Sequence, residues 1–263
     1  MPKGPLVYRQ RLLTRITHWV WAISLFFLML TGLQIFNAFP SLHIGKESGF
    51  DYDNAILTIS AVETDGALRG VTRLFGTEFD TTGVLGASNG EARAFPAALT
   101  IPSRTSLATG RVIHFFFAWV LAGTLALWLV ASALNGHLRQ LVPTLADLRA
   151  LPRDIADHAR LRFHHTGEYS VLQKLAYASV LFVALPLMIL TGLSMSPGFN
   201  AAAPWLLDVF GGRQTARTIH FLTMVALLGF FAVHMAMILL AGPLNEMRSI
   251  LTGWYRTDGG KHD

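Results

Sequence analysis

The fold class predicted is all-α: an integral membrane four-helix bundle, both termini cytoplasmic, with a long extracytoplasmic loop between helices one and two. Three observations predict it. Four apolar runs, approximately 16–36, 112–134, 171–195 and 219–241, contain no Asp, Glu or Arg. Each reaches the roughly 20 residues needed to cross a hydrocarbon core of about 30 Å. The chain is 52% hydrophobic and only 14% charged, against about 25% charged in a soluble domain. Basic residues also gather on alternate connections, which sets the orientation.

The first run is preceded by Lys3, Arg9, Arg11 and Arg15, with no acid among them. It is too long for the h-region of a cleaved signal peptide and lacks a small-residue cleavage site, so it reads as a span. The stretch 37–110 carries five basic residues against eight acidic ones and so is expected outside. It is rich in Gly and Thr, with Pro40, Pro96 and Pro102, and shows no long periodic run; only short irregular elements are expected there. A loop of about seventy residues is far above the usual few, and such loops are functional or disordered. After the second run, residues 136–170 hold Arg139, Arg149, Arg153, Arg160 and Arg162. Leu141, Leu145, Leu148, Leu151 and Ile155 are spaced there for an amphipathic helix on the inner membrane surface. The third run contains one Lys, Lys174, near its start, and the fourth leads to a tail with Arg248, Arg256 and Lys261. In lipid every backbone polar group must be bonded internally, so runs of this length are helices. The formal charge of +5 then reflects an anionic leaflet and not nucleic acid. The whole of 1–263 is expected to form one membrane domain.

The runs repeat one another faintly. Leu30-Thr31-Gly32-Leu33 closes the first and Leu190-Thr191-Gly192-Leu193 the third. Gly110-Arg111-Val112-Ile113-His114-Phe115 opens the second and Ala216-Arg217-Thr218-Ile219-His220-Phe221 the fourth. Two helical hairpins of similar design, in the same orientation, explain both matches.

There is no cysteine, which excludes disulfides, Cys-ligated iron–sulfur clusters and covalent c-type haem attachment. Ionisable residues inside a membrane are costly and are functional candidates by default. Four His fall in the spans: His18, His114, His220 and His234. Singly, each reads equally well as an interhelical hydrogen-bonding residue. Together they sort by depth. His114 and His220 both sit just inside the outer ends of their helices. His234 follows His220 by fourteen residues, which returns it within about 40° of the same face and about 21 Å along the helix. His18, near the inner end of helix one, is the available partner at that level if that helix begins earlier, around Arg9, and tilts; His137 is a second-ranked rival. Two pairs at two depths suit two six-coordinate haems, whose axial imidazoles come from facing helices. A zinc site would gather three or four ligands, and a proton relay would include intramembrane Asp or Glu; neither pattern occurs in the spans.

Arg15, Arg111 and Arg217 each stand three residues before a His, on nearly the same helix face and one turn nearer water. A guanidinium there reaches haem propionate carboxylates, although snorkelling at a helix end explains the same placement. His43, His158, His164, His165 and His262 fall in loops or the tail and are expected to be solvated.

The pattern resembles the bacterial cytochrome b561 superfamily, which includes the membrane cytochrome b subunits of nickel–iron hydrogenases, formate dehydrogenases and thiosulfate reductases. The thiosulfate-reductase type is the nearest likeness. The resembling stretches are Thr14-Arg15-Ile16-Thr17-His18-Trp19, Gly110-Arg111-Val112-Ile113-His114-Phe115, Tyr169-Ser170-Val171-Leu172-Gln173-Lys174-Leu175-Ala176-Tyr177 and Pro243-Leu244-Asn245-Glu246-Met247-Arg248. That resemblance implies two haem b groups in a bacterial inner-membrane protein, carrying electrons between a quinone pool and an extracytoplasmic enzyme. In the thiosulfate-reductase-like branch that enzyme is often a molybdopterin oxidoreductase. On this expectation His114 and His220 hold the outer haem, which serves a periplasmic redox subunit docked on loop 37–110. His18 and His234 hold the inner one, which serves the quinone. Gln173, Lys174 and Tyr177 are candidates for the quinone site, or simply entry residues of helix three. The loop is longer than in the compact hydrogenase subunits, which leaves the partner's identity open. The alternatives are a stand-alone enzyme passing electrons from superoxide to quinone, and a non-redox transporter or assembly protein whose His only bond between helices.

Overall fold

The computed structural model describes residues 4–49, 52–162 and 169–258; His164, His165 and His262 lie outside them. Strand β1 (Leu6–Tyr8) leads into α1 (Leu12–Phe36). Six strands follow: β2 (Ser41–His43), β3 (Ala55–Thr64), β4 (Ala67–Leu74), β5 (Thr77–Asp80), β6 (Ala87–Ser88) and β7 (Glu91–Ala92). Then come α2 (Leu107–Leu134), α3 (Leu138–Leu141) and α4 (Leu145–Ala159). The third span is α5 (Val171–Ser179), a π turn at Val180–Ala184 and α6 (Leu185–Met195). The short α7 (Pro197–Ala202) and α8 (Trp205–Val209) precede α9 (Arg213–Ala241), and α10 (Pro243–Thr252) and β8 (Trp254–Arg256) close the described chain.

The four helices long and apolar enough to cross a membrane coincide with the four predicted runs. Three of them begin well before the apolar stretch does, α1 at Leu12, α2 at Leu107 and α9 at Arg213, because a helix continues into the interface as long as its polar side chains reach water. Gly212 sets the start of α9: its φ is +112°, and a Cβ there would stand 2.6 Å from the Lys46 Cα. Pro186 accounts for the π turn just before it. Its ring cannot donate a backbone hydrogen bond and crowds the preceding turn, which widens to accommodate it. On α1, Thr17, Ser24 and Thr31 are buried, seven residues apart and so on one face. Small polar residues of this kind allow helices to pack closely in lipid. Phe116, Trp119, Val130, Val233 and Leu239 are exposed, as suits helices whose solvent is hydrocarbon.

The chain divides into two compact units. The first comprises residues 1–21, 123–186 and 225–263. Here Leu125, Trp128 and Ser132 bury one face of α2. The Trp21 indole donates to Thr124 at 3.0 Å and the Trp128 indole to Thr14 at 3.1 Å. A capping box opens α4, with the Thr144 hydroxyl accepting from the Asp147 N–H and the Asp147 carboxylate accepting from the Thr144 N–H. Leu145, Leu148 and Ile155 lie exposed along it, so the amphipathic helix expected in 136–170 is present. Strands β1 and β8 pair antiparallel. Asn245 clasps Arg256 from both sides, donating to its carbonyl and accepting from its N–H at 2.9 Å each. Arg9 lies between the rings of Tyr169 and Tyr255, 4.6 and 4.5 Å from their centres.

The second unit comprises residues 22–122 and 187–224, and it corrects the all-α reading. The connection expected to be irregular holds a four-stranded antiparallel meander, β2-β3-β4-β5. Two-residue turns build it: Asp65-Gly66 with φ of 53° and 73°, and Phe75-Gly76 with 48° and 82°. Left-handed conformation at both central residues marks the turn whose twist suits a hairpin. The sheet buries Ile59, which joins Phe36, Leu42 and Ala94 in one apolar cluster. Arg93 fastens the connection to α1 by donating to Gln34 Oε1 at 3.0 Å, Thr100 Oγ1 at 2.9 Å and the Ser103 carbonyl at 2.6 Å. Asn37 adds a second fastening, accepting from the Phe95 N–H at 2.7 Å. His43, expected to be solvated, is buried. Its Nδ1 meets Asn54 Oδ1 at 3.0 Å, and its carbonyl accepts from Thr218 at 2.8 Å. In the first unit His158 is partly buried, with Nδ1 2.8 Å from the Asp154 carbonyl.

Candidate cofactor-binding site

Each unit brings together one pair of His from the spanning helices. In the second unit His114 on α2 faces His220 on α9, with ring centres 6.5 Å apart and planes inclined at 56°. In the first, His18 on α1 faces His234 on α9 at 6.4 Å and 52°. Two imidazoles on opposite sides of one metal ion stand about 6.4 Å apart. That figure is two metal–nitrogen bonds of about 2.0 Å plus about 1.2 Å from each nitrogen to its ring centre. Both pairs match. Among the described residues no group of three or more His, Cys, Asp or Glu could hold an ion, so a metal held by either pair would take two imidazoles from the protein and the rest of its ligands from a cofactor, as haem would supply.

The second-unit pair has a further layer. Thr31 Oγ1 lies 2.6 Å from the Phe27 carbonyl and 3.0 Å from His114 Nδ1. Thr191 Oγ1 lies 2.6 Å from the Leu187 carbonyl and 2.9 Å from His220 Nδ1. A carbonyl can only accept, so each hydroxyl proton is committed to the backbone one turn earlier. Each Thr oxygen therefore accepts from the His, the neutral ring carries its proton on Nδ1, and Nε2 keeps a free lone pair. The residue after each Thr is Gly. A Cβ at Gly32 would lie 3.5 Å from His114 Cε1, and one at Gly192 3.4 Å from His220 Cε1. The glycines leave open the space beside each imidazole that a larger side chain would fill. Gly inside a helix costs about 1 kcal/mol relative to Ala, so a close approach is a reason for it.

The first-unit pair is held differently. His18 Nδ1 is buried with no hydrogen-bond partner among the described residues. Trp19 packs edge-on against His18 at 5.4 Å, and Phe230 stacks on His234 at 5.6 Å. Aromatic packing orients these rings.

The three Arg lie near the pairs, and none is ion-paired among the described residues. Arg217 donates to the Phe39 carbonyl and lies over the Phe36 and Phe39 rings. Arg111 lies over Phe115 at 5.6 Å. Arg15 donates to the Leu251 carbonyl, keeps its Nε buried and unbonded, and lines a shallow cavity with Leu12, Trp19 and Ile250. His137, the rival ligand, packs edge-on against Trp128 at 6.0 Å.

Of the residues linked to quinone, Gln173 closes the capping box of α5 with Ser170 and receives Arg9 at 3.4 Å. Lys174 pairs with Asp147 at 3.1 Å. The Asp147 carboxyl is held down at about 2, first by the Thr144 backbone N–H, then by the Thr144 hydroxyl and by Lys174. Tyr177 lies edge-on to Tyr169 at 5.4 Å. The two polar candidates thus have structural partners.

Sequence reasoning did not assign a role to Thr31, Gly32, Thr191 and Gly192, although the repeated Leu-Thr-Gly-Leu was the available signal. It also missed the burial of His43, which depends on folding of the loop.

A profile of the prokaryotic cytochrome b561 family matches residues 9–253. A relative from Azospira oryzae, named "Putative protein-methionine-sulfoxide reductase subunit YedZ1", is 31% identical over 129 residues, 48% of this chain. The match spans 63% of that relative's length.

Proposed function

The chain belongs to the prokaryotic cytochrome b561 family, and from that premise we propose that it carries electrons between a quinone and a redox partner enzyme. Membership makes haem b its cofactor, and the four apolar helices make it an integral membrane protein. We assign two haems to one functional domain, one gripped by His114 and His220, the other by His18 and His234. The observation that carries this is the recurrence of facing imidazoles at 6.5 and 6.4 Å. Bound haem supplies a one-electron couple. The chain ligates it, fixes the ligand tautomer on one pair, and surrounds both with apolar side chains. Arg15, Arg111 and Arg217, lacking carboxylates of their own among the described residues, suit the propionates.

The gathering of basic residues supports cytoplasmic termini in a bacterial inner membrane. The 37–110 connection then faces the periplasm, and its fastened sheet supports a docked partner over a stand-alone superoxide:quinone oxidoreductase. The relative's name makes a protein-methionine-sulfoxide reductase the first partner to test, ahead of the molybdopterin oxidoreductase that the thiosulfate-reductase resemblance implies. Quinone exchange belongs to the opposite side, with Tyr177 its remaining candidate once Gln173 and Lys174 are given to structure.

A reduced-minus-oxidised spectrum with haem extraction tests the assignment on the purified protein. Two haem b per chain are expected, falling to one in His220→Ala or His114→Ala and, separately, in His18→Ala or His234→Ala. No haem absorption in a folded preparation, or no loss in any of the four variants, sinks it.

A further inference from the structure

We propose that Thr31 and Thr191 are positioning residues that make the two haem sites electronically unequal. The inference rests on the assignment of His114 and His220 as ligands of one haem. Each Thr hydroxyl is anchored to a carbonyl at 2.6 Å and accepts a hydrogen bond from the Nδ1–H of the facing His at 3.0 or 2.9 Å. A hydrogen bond accepted from the distal nitrogen of a ligating imidazole orients the ring and raises its basicity. A more basic ligand favours the oxidised metal, so the hydroxyls hold the potential of this haem below the value the same His pair would otherwise give. The first-unit pair has no such hydroxyl: His18 Nδ1 is buried and unbonded among the described residues, and Phe230 covers His234.

The geometry is not that of two unrelated membrane threonines satisfying themselves. A hydroxyl bonded back to its own helix is complete without a His. Here both oxygens also meet Nδ1, both precede a Gly, and each Gly leaves the ring edge 3.5 or 3.4 Å from where its Cβ would be. The two-residue device is repeated across two helix pairs, α1 with α2 and α6 with α9.

Optical redox titration of the full-length protein, wild type against Thr31→Val, Thr191→Val and the matching Ser variants, tests this. Val preserves the shape and removes the hydroxyl; Ser restores it. The potential of one haem should rise in each Val variant, by about a tenfold change in its oxidised-to-reduced ratio, equivalent to about 59 mV for one electron. The other haem should stay where it was, and Ser should return the first to wild type. Selective loss of that one haem from Val and Ala variants, with retention in Ser, supports the positioning role equally. Unshifted potentials with both haems present in any hydroxyl-free variant overturn it, as does equal disturbance in Ser and Val. The ligand assignment fails by a different result, namely retention of both haems in His114→Ala and His220→Ala.

Discussion

At His220 the chain places one imidazole between a hydroxyl and a partner ring, and the neighbouring Gly192 decides how much can stand beside it. Gly192→Ala should therefore separate stability from loading. Ala favours a helix interior by about 1 kcal/mol, yet its Cβ would stand 3.4 Å from the ring edge. A haem-free chain more stable by about 1 kcal/mol, with haem content per chain falling toward one, is the expected outcome in extraction assays; full occupancy would mean the space is spare. Arg93 gives a contrasting case, since it fastens the 37–110 connection and bonds no His. Its side chain is 6% exposed, and removing it strands the buried Gln34 Oε1, while Thr100 keeps its bond to the Ala97 carbonyl. Leaving buried polar groups unpaired costs about 1–3 kcal/mol. Arg93→Ala should loosen the 37–110 connection in hydrogen exchange while the haem spectrum stays as it was.

At the scale of elements, the spanning helices were legible because an apolar run of about twenty residues has one solution in lipid. Their starts were legible only in part: helix one, expected to begin earlier, around Arg9, is found at Leu12. Leu12 and Arg213 lie where polar side chains, not hydropathy, decide how far a helix continues. The sheet went unread because it buries few residues. In β3 and β4 only Ile59 has a fully buried side chain, so those strands carry little alternation, and Asp65-Gly66 was the available hairpin signal. Gly66→Val should unpair β3 from β4, since a branched residue resists the φ of 73° found there. Faster amide exchange in 55–74 alone is the expected reading. The α4 cap responds to acid instead. The Asp147 pKa is lowered from 3.8 to about 2, so its contribution is complete above about pH 4 and disappears as pH falls through about 2. Protection of α4 amides should follow that window. Asp147→Asn should expose them already near neutral pH, through loss of the Lys174 pairing and of the charged cap.

For the molecule as a whole, the four His were legible one by one from their cost in lipid, and their sorting into two facing pairs could be guessed from helix geometry. What sits behind each His was not legible. Whether a hydroxyl reaches Nδ1 depends on how two helices, distant in sequence, rotate against each other, and no spacing along one helix encodes that. For the same reason Gln173 and Lys174 looked available in sequence, while Ser170 and Asp147 engage them in the fold.

The clasp of β1 on β8 carries a topological corollary. The Gly4 N–H bonds the Thr257 carbonyl at 2.9 Å, so residues 4–257 form a closed loop, and a closed loop can traverse a sheet of lipid only an even number of times. Joining these neighbours through a short peptide and cutting the chain anew at the Asp65-Gly66 bend should yield a circular permutant that inserts with the same four crossings.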